Sequence, residues 1–219
     1  DEFEGDFGEE QKKMQAFLKS PEWKRTTAQG WGVNRAETAE IFTANQMYIR
    51  KFPDRAASLL GKLHCQHYGL PSFGKRLAAA TREFVPFSGD PAGWFAQNGR
   101  FTDFSGKTIE LPERTFATHT SGKYTAARVP LLDVIAEVLR QPDEVWLNNY
   151  DGKAFDCLNY IRFYRDKAIN VVCRIENGKT LAVRTWFEIA IRPTTRSGGK
   201  IAPEKDPRLK YRRGLLVKK

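Results

Sequence analysis

The stretch Ile169 to Glu176, the pair Asn177-Gly178 and the stretch Leu181 to Ile191 constrain this chain more than any other part of it. Two runs rich in β-branched and aromatic residues on either side of Asn-Gly form a hairpin, because a type I′ turn needs positive φ at both central positions and these two residues supply it. Two runs of the same character come before, Glu144 to Tyr150 and Cys157 to Arg165. The punctuation between runs is Asn149-Tyr150-Asp151-Gly152 and Arg165-Asp166-Lys167. Four strands joined by such turns make an antiparallel meander. Ahead of them Val129 to Arg140 places Leu132, Ile135, Ala136 and Leu139 at helical spacing and stops at Pro142. A helix followed by a meander is an α+β domain, with the helix packed on one face of a four-stranded antiparallel sheet. Phe101 to Phe104 and Thr108 to Leu111, on either side of Ser105-Gly106-Lys107, add a short hairpin in front.

The first part of the chain has a different rhythm. Glu9 to Leu18, Ala36 to Phe52, Pro53 to His67 and Ser72 to Phe84 each read as a helix, several of them closed by proline, so residues 1–84 form a small helical bundle. Residues 85–99, with Pro86, Ser88-Gly89-Asp90-Pro91 and Gly93, are too rich in turn formers for a regular element and read as a linker, which Trp94 and Phe95 dock onto a neighbour. Residues 100–219 are then the α+β domain. With 41% hydrophobic residues the 219-residue chain can bury one good core or two small ones. Its longest apolar runs are far too short to cross a bilayer and it starts with no secretory leader pattern, so a soluble protein without a membrane partner is expected.

Charge is unevenly placed. The net charge is +10 and the isoelectric point about 9.6. From Arg192 to Lys219 there are ten Lys or Arg and two acids, whereas the first ten residues hold six acids and no base. Clustered cations gain by displacing the counterions condensed on a nucleic acid, so the tail points to a polyanion; a solvated lysine-rich surface explains a charge run equally well. Cys65, Cys157 and Cys173 sit at no redox or metal spacing and read as reduced, buried thiols. His64 and His67 flank Cys65, but a fourth ligand is missing nearby, so local packing is the better reading and neither a metal nor a cofactor is expected.

Several stretches combine into a recognisable pattern: Phe104-Ser105-Gly106-Lys107, the helix ending in Leu139-Arg140-Gln141-Pro142-Asp143-Glu144-Val145-Trp146, then Tyr160-Ile161-Arg162-Phe163-Tyr164, Asn170-Val171-Val172, Arg184-Thr185-Trp186-Phe187 and Arg213-Gly214-Leu215-Leu216. From about Phe101 to Val217 the chain resembles the phage-associated branch of the barnase/EndoU/colicin/RelE-like nucleases, found fused behind Mu F-like head-morphogenesis proteins and in polymorphic toxins. Pro142-Asp143-Glu144-Val145-Trp146 is the most specific piece. The resemblance implies a barnase/RelE-like fold and a metal-independent endoribonuclease, a toxin between bacteria or associated with phage, that cuts RNA such as tRNA or rRNA. It also implies an acidic immunity protein as partner, and a place of action in the cytoplasm of the producing or a target cell, reached as a secreted effector or phage-associated toxin. The competing readings are a non-catalytic nucleic-acid-binding or phage head-associated module that keeps the fold without the chemistry, and a phosphoesterase or transferase on a small nucleotide.

Metal-free cleavage of RNA removes the proton of a ribose 2′-hydroxyl, stabilises a phosphorane-like transition state and protonates the departing 5′-oxygen. His119 is the one histidine of this half and the natural proton carrier, although a lone loop histidine is usually surface. Lys123 and Arg128 follow before the helix, where the macrodipole adds to their pull on phosphate, and Arg128 can grip two oxygens at once. Thr185 completes the catalytic set as a hydroxyl on phosphate; strict alternation puts Val183, Thr185 and Phe187 on one strand face and Arg184, Trp186 and Glu188 on the other. Glu188 reads as the cross-strand partner of Arg162, Arg174 or Arg184 rather than as a base. Arg162, Arg184, Lys205, Lys210, Arg212 and Arg213 are the RNA-binding candidates, and Asp143 orders the helix-to-strand turn.

Overall fold

The computed structural model describes residues 61, 65, 68–148, 157–176, 180–189 and 207–219. The expected helices over Glu9–Leu18 and Ala36–Phe52, and nearly all of Pro53–His67, lie outside these residues, as does the Asn177-Gly178 turn itself. The chain divides into two compact units, one made of Phe73–Val145, Asp156–Ile191 and Lys218–Lys219, the other of Asp1–Ser72, Trp146–Phe155 and Arg192–Val217.

The larger described part is a mixed α/β structure. It opens with helix α1 (Phe73–Ala79), shorter than the expected Ser72–Phe84. Beyond it the chain is extended: Val85 precedes Pro86, which disfavours helical ψ, and the Arg82 carbonyl accepts from the Arg165 amide at 2.8 Å. The supposed linker carries a helix of its own, α2 (Pro91–Gln97). The turn formers there act as caps, because the Asp90 carboxylate accepts from the Gly93 amide at 2.7 Å and Pro91 occupies the first turn, where no amide is needed. Trp94 is buried, stacks with Phe116 and donates from Nε1 to the Asp133 carboxylate at 2.9 Å, so this stretch is part of the core.

Strands β1 (Arg100–Thr102) and β2 (Thr108–Glu110) form the short antiparallel hairpin. Its turn is organised by Asp103, whose Oδ1 accepts from Ser105 N at 2.8 Å, Ser105 Oγ at 2.8 Å and Lys107 N at 2.9 Å. Gly106 takes φ 84° there. Two helices absent from the sequence reading follow, α3 (Glu113–His119) and, after a 3₁₀ turn at Gly122–Tyr124, α4 (Thr125–Arg128). The expected helix Val129–Arg140 is broken: Pro130 has no amide to continue the ladder, so Val129–Leu131 is 3₁₀ and helix α5 runs from Val134 to Arg140. Val134, Ile135, Val138 and Leu139 make its buried stripe, which packs on β1, β4 and β5.

Strands β3 (Glu144–Asn148), β4 (Cys157–Tyr164), β5 (Lys167–Glu176) and β6 (Thr180–Glu188) appear where the sequence put them. The β4–β5 link is the two residues Arg165-Asp166, with Asp166 at φ 57°, a left-handed conformation that aspartate tolerates. The sheet is larger than four strands and is not a pure meander. In the second unit the order is β1-β2-β6-β5-β4, then the start of β3, and β2 runs parallel to β6 through Ile109↔Leu181 and Glu110↔Ala182. In the first unit the rest of β3 lies beside β7 (Leu215–Lys218). There the Leu216 amide donates to Tyr68 Oη at 3.1 Å, and Gly214, at φ 95°, passes so close to the Leu147 carbonyl that a Cβ would sit 2.1 Å from it.

One irregularity decides which side chains share a face. Val172 pairs with Thr185 but Cys173 pairs with Val183, so Arg184 is an extra residue in β6. Such a bulge resets the alternation. Ile169, Val171, Cys173 and Ile175 therefore share a face with Glu188, Trp186, Val183 and Leu181, and with Leu158, Tyr160, Arg162 and Tyr164 of β4. Helices α3, α4 and α5 pack on that side. Thr185 and Phe187 face the other way with Asn170, Val172, Ile161 and Phe163, and Val183 is not among them, contrary to strict alternation.

Candidate active site

Helix α3 ends on His119. Its Nδ1 lies 2.8 Å from the Thr115 carbonyl one turn earlier, and a carbonyl can only accept, so the proton of the neutral ring sits on Nδ1 and Nε2 is the basic nitrogen. Gly122, at φ 57°, then turns the chain back so that Tyr124 comes alongside. The His119 ring lies beside two aromatic rings, the buried Trp186 with centroids 5.2 Å apart and the exposed Tyr124 at 6.0 Å. Lys123 Nζ stands 5.1 Å from the centre of the Tyr124 ring.

Arg128 closes the group. Its Nη1 donates to the Trp186 carbonyl, while the Trp186 indole donates back to the Arg128 carbonyl at 3.0 Å. The guanidinium reaches the Phe187 ring at 5.2 Å, so it stands at the β6 edge next to the face that carries Thr185. Burial is the main force holding His119 below the ordinary histidine range. The Thr115 carbonyl works against that shift and the positive Arg128 adds to it. At neutral pH the ring is therefore uncharged, with Nε2 able to take a proton. His119, Lys123 and Arg128, 9 residues apart at most, are thus brought together around two aromatic rings. Thr185 is not on the same sheet face as Trp186. Tyr124 and Trp186 are site neighbours that periodicity did not mark, since only the α3–turn–α4 fold brings both next to the imidazole.

The cations expected to touch RNA divide by burial. Arg162 is buried at 5% exposure, pairs with Glu137 at 2.8 Å and donates to the Gln141 carbonyl. Arg212 is fully buried and donates from Nη2 to the Pro71 carbonyl at 2.9 Å, and Arg213 is buried as well. These three guanidinium groups belong to the interior, which corrects the expectation that they contact RNA. Lys210 is half-buried with its ammonium 5.3 Å from the Tyr211 ring, Arg184 is the half-buried bulge residue, and Lys205 lies outside the described residues. Glu188 pairs with Lys167 at 2.7 Å, not with an arginine. Asp143 does order its turn, accepting from the Phe163 amide at 2.8 Å and from Arg82. Cys65, Cys157 and Cys173 are buried free thiols, while His64 and His67 lie outside the described residues. No described helix is long and apolar enough to cross a membrane.

No curated protein and no solved structure matches this chain. A family model does, over residues 86–217, more than half of the sequence, including α2, every described strand and the group around His119. The chain belongs to the phage-Barnase-EndoU-ColicinE5/D-RelE like nuclease 2 family.

Proposed function

We propose that this nuclease-family chain is a ribonuclease that cuts its substrate with side chains alone, His119 acting as base and Arg128 as the phosphate-binding cation. The observation that carries the reading is the imidazole held neutral with its proton on Nδ1, next to a guanidinium at the sheet edge. A ribose 2′-hydroxyl gives its proton to Nε2 and its oxygen attacks the adjacent phosphorus. Arg128 and Lys123 offset the charge that gathers on the phosphoryl oxygens. The 5′-oxygen then leaves with a proton from Lys123 or water, and a 2′,3′-cyclic phosphate remains. Tyr124, 38% exposed, offers a ring on which a base can stack.

A nuclease of this kind acts as a toxin, and its producer needs a guard. An acidic partner protein that covers the basic surface, with a salt-sensitive association rate, fits the charge of the chain. The test is to incubate the purified protein with total RNA in EDTA and map the fragment ends. Cyclic phosphate and 5′-hydroxyl ends are expected; cleavage that appears only with added Mg²⁺ would overturn the reading. RNA bound but never cut would favour the binding-module alternative.

A further inference from the structure

Away from His119, a cleft of about 230 Å³ opens beside β4, lined by Arg76, Thr81, Arg82, Asp143 and Phe163 among others. Its two arginines are each held by part of their donor set. Arg76 uses Nε for the fully buried Glu144 carboxylate at 3.0 Å and keeps 26% of its side chain exposed. Arg82 spends Nη1 on three acceptors, both Asp143 oxygens and the Phe163 carbonyl, and is 42% exposed. The remaining guanidinium N–H groups of both, and the Thr81 hydroxyl, have no partner among the described residues. The carboxylates fix the two planar forks without using them up, which is how a phosphate site is pre-organised. Lys218 adds to the positive field: its Nζ donates to the Pro142 carbonyl, and burial, then crowding by Arg162, Arg76 and Arg82, holds it below the ordinary lysine range against the opposing pull of Asp143.

We propose that this cleft holds a phosphodiester of the RNA strand, a subsite separate from the group around His119; the inference rests on the ribonuclease reading for its ligand. The place fits a strand. Phe163 and Phe187 project from the same sheet face, β4 and β6 being separated by β5, so the cleft and the Arg128 guanidinium beside Phe187 flank one face of the sheet. The volume suits a phosphate with part of its sugar. Asp143, still 17% exposed in the cleft, repels a second negative charge, so a singly charged diester is favoured over a doubly charged terminal phosphate.

The experiment measures binding of a fluorescent single-stranded 2′-O-methyl RNA, which lacks the attacking hydroxyl, against salt concentration. Arg82→Gln and Thr81→Val are compared with the unaltered protein; Arg76 is left alone because its guanidinium pairs with the fully buried Glu144 carboxylate. Arg82→Gln is expected to weaken binding about tenfold and to lower the slope of log affinity against log salt by about one phosphate contact. Thr81→Val should weaken it about tenfold, the share of one hydrogen bond to a charged group, with the thermal midpoint kept. A dinucleoside monophosphate should displace the probe better than inorganic phosphate. Unchanged affinity and slope in Arg82→Gln, from a protein that still cuts RNA, would overturn the subsite and leave the ribonuclease reading intact. Weakened binding without any cleavage by the parent protein would uphold the subsite and remove that reading. Better displacement by inorganic phosphate would overturn the choice of a diester.

Discussion

Replacing Asp103 by alanine removes the most heavily used carboxylate of the described structure, and the cost can be worked out contact by contact. Asp103 is buried, and besides the three turn donors on Oδ1 its Oδ2 accepts from the Tyr160 hydroxyl at 2.9 Å. The turn donors lie near the surface and regain water, so each costs toward the low end, about 0.5 kcal/mol. Tyr160 is fully buried, and burial pushes its phenol well above the ordinary range, so it stays a donor at any accessible pH. Stranding that hydroxyl costs about 1–3 kcal/mol. The sum is about 2.5–4.5 kcal/mol, or a fall in thermal midpoint of about 10 °C for a chain of this size. Because most of the loss is a stranded donor, the second change Tyr160→Phe should restore about 1–2 kcal/mol in the Asp103→Ala background while destabilising the parent. Urea unfolding followed by tryptophan fluorescence gives all four corners of the cycle. If Asp103→Ala costs less than about 1 kcal/mol, or if Tyr160→Phe restores nothing, the buried bond is not holding the β1–β2 turn to β4.

His119→Ala should lower cleavage at least about tenfold with the thermal midpoint nearly unchanged, measured by single-turnover kinetics on a short RNA. The base form is the active one and burial depresses its pKa, so cleavage should be flat at neutral pH and fall on the acid side below about pH 6.5. An acid limb above that value, or one that persists in His119→Ala, would exclude His119 as the base. The same shift makes a small stability contribution that is present above about pH 6.5 and is lost as pH falls through the lower folded-state value. Arg128→Lys should lower turnover more than it raises KM, since the charge stays and the fork is lost. Arg212→Ala should destabilise the protein, since its guanidinium is interior, whereas Lys210→Ala should weaken RNA binding and flatten its salt dependence with the thermal midpoint kept; equal behaviour of the two would contradict the division by burial.

Strand positions were legible because β4, β5 and β6 have one dominant local signal each, and the hairpin partners follow from the turns between them. In α5 the positions of Ile135 and Leu139 were legible for the same reason, but Val134 and Val138 are buried there as well and the expected Ala136 is only half-buried. What sequence did not reveal is what depends on a partner distant in the chain. The parallel seating of β2 on β6 joins Ile109 to Leu181, and no local pattern announces it. The extra residue Arg184 leaves no mark either, since an arginine in a strand looks the same whether or not it is bulged, yet it moves Thr185 to the face opposite Trp186. Burial of Arg162, Arg212 and Arg213 escaped because a guanidinium can be solvated at the surface or satisfied by carbonyls inside, and only the fold chooses. His119, Lys123 and Arg128 were picked out as candidates from residue type and a short span. The helix that fixes the imidazole tautomer was missed because α3 is only 7 residues long and follows a proline with no side-chain cap.

The shortness of β2 has a consequence for solubility. It accompanies β6 only as far as Ala182, and from there to Glu188 the strand has, among the described residues, a sheet neighbour, β5, on one side only. A bare strand margin invites pairing with another chain, and proteins commonly blunt it with a charge. Arg128 does so here by placing a guanidinium on the Trp186 carbonyl, a group that a foreign strand would otherwise engage. On the reading proposed above, the cation that binds the phosphate also covers this margin of β6, so replacing it would expose the strand to pairing as well as weaken the substrate contact.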